Sequence, residues 1–114
     1  MTISKFEDII AWQKAGKLTT LIYKRFNNCK DYGFRDQIQR ASVSIMNNIA
    51  EGFERASNKE LKYFLYIAKG SCGEVRSMLY LSLKFNYISK EEFDCFYNLS
   101  VEISKLIAGL IKTL

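Results

Sequence analysis

Residues 89–114 read SKEEFDCFYNLSVEISKLIAGLIKTL, and their pattern decides the fold class. Phe93, Phe96, Ser100, Ile103, Ile107, Leu110 and Leu114 recur three and four residues apart. That spacing aligns side chains on one helical face and makes the seam of a helical bundle. Ser89 and Glu92 form a capping box in front of the seam, each positioned to satisfy an amide that a helix start leaves unpaired. Leu99, Val101, Leu106, Ala108 and Ile111 flank the seam. The apolar arc is therefore wider than one packed face requires, and the expected use of the excess is burial against another subunit.

The same signals recur upstream. Ser4/Glu7 and Ser57/Glu60 are two further capping boxes, and the Asn, Asp and Gly residues of NNCKDYGF break one helical pattern before another opens near Phe34. The chain has no proline, so nothing forbids long helices. Four are expected, over about 5–28, 33–55, 58–86 and 90–113. Their short connections make an all-α, up-down-up-down antiparallel four-helix bundle the economical architecture. A chain of 114 residues, 48% hydrophobic and 25% charged, fits one domain over 1–114.

Composition also narrows the chemistry. Histidine is absent, which excludes His-based triads, His-ligated metal sites and the Arg–His pair of the small helical ribonucleases of the HEPN type. Cys29, Cys72 and Cys95 share no metal-ligand spacing and are expected to be reduced, mostly buried thiols. Glu51, Glu54, Glu60 and Glu74 offer carboxylates, but nothing pairs them with a nucleophile or metal ligands. No enzyme, cofactor or metal site is expected. No apolar run is long enough to cross a membrane and the N-terminus lacks the regions of a signal peptide, so the expected location is cytoplasmic, with no membrane partner.

The net charge of +5 is unevenly placed. Residues 4–28 and 58–86 each hold five basic and two acidic residues, whereas 31–57 and 89–114 each hold three basic and four acidic. Helices 1 and 3 are the basic ones. On helix 3, Lys62, Tyr66, Lys69, Gly73, Arg76 and Tyr80 share one stripe whose cations can meet phosphates and whose tyrosines can stack on bases. Lys14, Lys17, Lys24 and Arg25 of helix 1 lie away from Trp12 and repeat the theme. A merely solvated polar face is the plainer reading of the same stripe.

Residues 42–54, SVSIMNNIAEGFE, complicate helix 2. Phe34, Ile38, Ala41, Ile45 and Ile49 make its core edge, while Asp36, Arg40, Asn47 and Glu51 line another side, with Gln37, Ser44 and Asn48 beside them. Directional amides and carboxylates with an Arg suit a hydrogen-bonded subunit interface, so Arg40, Asn47, Asn48 and Glu51 are expected there. Gly52 permits close backbone approach or ends the helix. On helix 1 the core face is Trp12, Ala15, Leu18, Thr19, Ile22 and Phe26; Phe6, Ile10 and Leu21 project elsewhere and join the expected interface.

Two stretches, FRDQIQRASVSIMNNIAEGFERAS over 34–57 and FLYIAKGSCGEVRSMLYLSLKFNYIS over 64–89, resemble the four-helix-bundle family of bacterial 23S rRNA intervening-sequence proteins, some labelled ribosomal proteins. The resemblance extends from FEDIIAWQKA to ISKLIAGLIKTL. It implies a four-helix subunit and a relationship to the accessory variability determinant of diversity-generating retroelements, a nucleic-acid-binding homopentamer. Met46 stands where relatives usually have Pro, which removes an expected kink, and Cys72 where a Leu usually follows KGS. The expected function is a non-enzymatic, oligomeric accessory protein that binds RNA or DNA through basic helical surfaces. The alternative is a protein-interaction scaffold with an incidental basic surface.

Overall fold

The structure, a computed structural model, describes residues 3–114; residues 1 and 2 of the domain expected over 1–114 lie outside the described residues. After a 3-10 turn at Phe6–Asp8 come α1 (Ile10–Phe26), α2 (Tyr32–Phe53), α3 (Asn58–Lys84) and α4 (Lys90–Lys112), and the described residues contain no strand. Each helix packs on its chain neighbours and α1 closes the ring on α4, so α1 and α3 stand at diagonal corners.

Side-chain pairs give the register. Thr19 reaches Ser42 across α1 and α2, Gln37 and Ser44 meet Glu74 and Ser71 across α2 and α3, Arg76 meets Ser100 across α3 and α4, and Arg25 and Lys14 meet Glu92 and Glu102 across α1 and α4. Numbers rise on one helix as they fall on its neighbour, which is the expected antiparallel arrangement.

Local chemistry set most boundaries. Ser89 Oγ accepts the Glu92 amide at 3.1 Å while Glu92 Oε1 accepts the Ser89 amide at 2.9 Å, completing the box. Ser57 accepts the Glu60 amide, and Asp31 caps α2 by accepting from Phe34. Helix 3 stops at Lys84 rather than 86 because Asn86 enters the left-handed region at φ 61°. There its amide donates to Leu83 and that of Tyr87 to Ser82, closing a Schellman motif.

The Ser4/Glu7 box fails to open helix 1. Lys5, not Ser4, precedes the 3-10 turn, Ile9 is extended, and α1 begins at Ile10 without a side-chain cap. Burial overrides the capping signal: the extended residue turns Ile9 into the core at 3% exposure, and Phe6 packs edge-on against Trp12 with ring centroids 5.3 Å apart.

The α4 seam is where periodicity places it, with Phe93, Phe96, Ser100, Ile103 and Ile107 buried. Its flanks are not spare surface. Ile111 is buried and Leu99 and Leu106 pack half-buried against the same core, since α4 has a neighbour on either side, while the last two expected seam members, Leu110 and Leu114, are themselves only half-buried. The surplus expected for a second subunit is therefore largely absorbed within the bundle. Helix 2 runs unbroken through Met46, and Gly52 is buried where α2 and α3 come together. A Cβ there would stand 2.7 Å from the Phe64 Cβ, so close approach explains this glycine.

The cysteines divide three ways. Cys72 is buried, and its thiol pKa is pushed up to about 11 by desolvation; Cys29 is half-buried and Cys95 is exposed, contrary to the expectation of mostly buried thiols.

Candidate nucleic-acid interface

The regular 3.6-residue repeat of α3 keeps its basic stripe in line, but neighbouring helices use its members unequally. Lys62, Tyr66 and Lys69 are exposed, and neither lysine forms an ion pair among the described residues. Arg76 is half-buried: its Nη1 donates to Ser100 Oγ at 3.2 Å, and that hydroxyl donates to the Cys72 carbonyl, also at 3.2 Å. The guanidinium thus supports the polar member of the α4 seam. Tyr80 lies against α4, 5.2 Å from the Phe93 ring and 5.5 Å from that of Tyr97, and its hydroxyl donates to Tyr97. That hydrogen bond raises the Tyr80 pKa. The free part of the stripe is its first half.

On α1 the four cations are also divided. Lys14 Nζ lies 2.6 Å from Glu102 and Arg25 Nε lies 2.6 Å from Glu92. For Glu92, burial pushes the pKa up, but the Ser89 amide, Arg25 and the Ser89 hydroxyl together hold it below its ordinary value. Lys17 and Lys24 are exposed and form no ion pair among the described residues. Because α1 and α3 are diagonal, the two basic helices do not adjoin within the bundle.

The residues expected at a subunit interface do not converge. Asn48 turns inward, donating to the Ser44 carbonyl at 2.7 Å and to Ser44 Oγ at 2.9 Å, and Ser44 in turn meets Ser71 of α3. Phe6 is engaged with Trp12 and Leu21 packs half-buried on the core. Glu51 pairs with Arg55 one turn on. Ile10 is 51% exposed beside Lys105 and Leu106, whereas Arg40 lines a groove of about 570 Å³ between α2 and α3 with Gln37, Ser44 and Glu74. Asn47 is exposed on α2.

Sequence reasoning missed where apolar surface collects. Tyr63, Tyr66, Ile67, Tyr80, Leu81 and Phe85 are exposed and all lie on α3 or its C-cap, Tyr63 at 62%. Tyr63, Ile67 and Leu81 fall on one line, about a third of a turn from the lysine stripe. The signal was legible as apolar residues outside the buried 61, 65, 68, 72, 75, 79 seam.

Among the described residues, no group of three or more Cys, Asp or Glu side chains is placed to hold a metal ion, and no helix is long and apolar enough to cross a membrane.

The profile of the 23S rRNA-intervening sequence protein family matches residues 7–109. A crystal structure of a protein with unknown function from the S23 ribosomal protein family of Bacteroides thetaiotaomicron VPI-5482 superposes with a TM-score of 0.84 at 30% identity, covering 90% of this chain and 99% of that one. No curated protein matches the chain.

Proposed function

This chain belongs to the 23S rRNA-intervening sequence protein family, and on that premise we propose that it is a non-enzymatic, oligomeric accessory protein that binds RNA or DNA. The observation that carries the reading is the exposed, unpaired Lys62 and Lys69 on one line of α3 with Tyr66 between them. Seven residues of helix separate the two ammonium groups by about 10 Å along the axis, and both are free to meet strand phosphates. Tyr66 offers a ring to a base. Contacts of this kind read charge rather than sequence.

The exposed apolar residues of α3 support the oligomeric part of the reading. The line of Tyr63, Ile67 and Leu81 favours a second copy packing along the α2–α3 side, with Arg40 and Asn47 supplying its polar rim. Repeating a weak basic stripe in a ring raises avidity without any single strong site. Five subunits, and the relationship to the accessory variability determinant of diversity-generating retroelements, follow from the family resemblance. The exposed apolar residues of α3 also fit the alternative, a protein-interaction scaffold whose basic surface is incidental.

Fluorescence anisotropy with labelled RNA and DNA strands across a salt series tests the reading. Lys62→Gln/Lys69→Gln is expected to weaken binding to every sequence alike and flatten the salt slope. A double variant that binds as tightly as the parent at every salt concentration would remove α3 from the interface, and absence of binding by the parent would favour the scaffold.

A further inference from the structure

The loop joining α1 to α2 meets the start of the α3–α4 connection at one end of the bundle, and a cavity of about 710 Å³ opens beside them. Its wall carries Lys24, Arg25 and Lys30 against one carboxylate, Asp31. That carboxylate is committed elsewhere: Oδ1 accepts the Phe34 amide at 3.3 Å and Oδ2 accepts the Tyr87 hydroxyl at 2.7 Å. Arg25 is anchored through Nε by Glu92, and its Nη groups make no hydrogen bond among the described residues. Lys24 and Lys30 are exposed and form no ion pair among those residues. Asn28 adds an amide and Tyr87 an aromatic wall.

The C-terminal dipole of α1 accounts for cations in its last turn, Lys24 and Arg25. It does not account for Lys30, four residues beyond the end of the helix, because the dipole effect fades within one turn. We infer that this cavity is a phosphate-binding site. An Arg held through Nε by a carboxylate outside the cavity's lining, flanked by two point charges, matches a group whose negative charge is spread over several oxygens. The space is of the size that holds a nucleotide. Lys17 lies two turns before Lys24 on the outer face of α1, so a strand seated in the cavity would continue along that helix. For the source of the phosphate this inference rests on the nucleic-acid reading; for the site itself it rests on the cavity.

Amide-resolved NMR titration of the full chain at low salt with pyrophosphate, a nucleoside 5′-monophosphate and a short single-stranded oligonucleotide tests it. Shifts at the Asn28, Lys30 and Asp31 amides that vanish in Lys24→Gln/Lys30→Gln and survive in Lys62→Gln/Lys69→Gln support the site. If the oligonucleotide produces them, the source is a strand; if only the small probes do, the site stands and its ligand is a free phosphate compound. No shift at residues 28–31 with any probe, or shifts that persist in Lys24→Gln/Lys30→Gln, overturns it. Survival of the pyrophosphate shifts where α3 fails to bind strands separates this site from the reading of α3.

Discussion

The Tyr87 hydroxyl donates to Asp31 Oδ2 at 2.7 Å, and the same carboxylate caps α2 through the Phe34 amide. One side chain therefore joins the first residues after α3 to the start of α2. Around it Phe34, Phe85 and Tyr87 pack edge to face, with centroids 5.3 to 6.3 Å apart. The hydrogen bond to Asp31 is the main cause of a raised Tyr87 pKa, with burial second. Because the folded state holds the proton more tightly, the stabilisation is whole below the ordinary tyrosine pKa of about 10 and is lost as pH rises through the raised folded value. Tyr87→Phe is expected to melt at lower temperature than the parent at neutral pH, and the gap is expected to close in strong alkali. A gap unchanged between neutral and strongly alkaline buffer would assign it to something other than this bond.

Gly52→Ala is expected to destabilise the protein. The added methyl would meet the Phe64 Cβ at 2.7 Å and the Leu61 carbonyl at 3.3 Å, neither of which is the flexible end of a side chain. Overpacking of this kind costs about 1–3 kcal/mol and exceeds the gain of up to about 1 kcal/mol from replacing a helical glycine by alanine. Gly109→Ala is the control with the opposite sign, since nothing lies within 4 Å of its added Cβ. Urea midpoints should move down for the first and up for the second.

Arg76→Met should lower stability by roughly 0.5–1.5 kcal/mol through loss of the hydrogen bond to Ser100, whose hydroxyl keeps its bond to Cys72. Lys62→Gln/Lys69→Gln should stay within about 0.5 kcal/mol of the parent, as surface changes usually do. Equal urea midpoints for all three proteins would show that Arg76 has no structural share and belongs with the lysines.

Ile67→Glu is expected to reduce the assembled mass in sedimentation velocity across a dilution series, with helical content by circular dichroism unchanged. The residue is 36% exposed on the line it shares with Tyr63 and Leu81, so a carboxylate there disturbs a neighbouring copy and not the core. An unaltered mass would move the interface to another face, and a monomeric parent would remove it altogether.

Sequence by itself determined the four helices, their order and most of their buried faces, because apolar spacing and the Ser57 and Ser89 caps act within a few residues and need no partner. It also determined that Gly52 is special and that α1 and α3 carry the positive charge. Tertiary structure decided what each charged or polar side chain is free to do. Burial of Ile9 overrode the Ser4 box; Glu102, Glu92 and Ser100 engaged Lys14, Arg25 and Arg76; Ser44 drew Asn48 inward while Asn47, one position away, stayed exposed. Lys30 and Asn28 came to line a cavity only when the loop after α1 folded beside Tyr87. The Lys14, Arg25 and Arg76 contacts join residues 24 to 88 positions apart in the chain, where helical periodicity carries no information and only the register of packed helices sets which side chains meet.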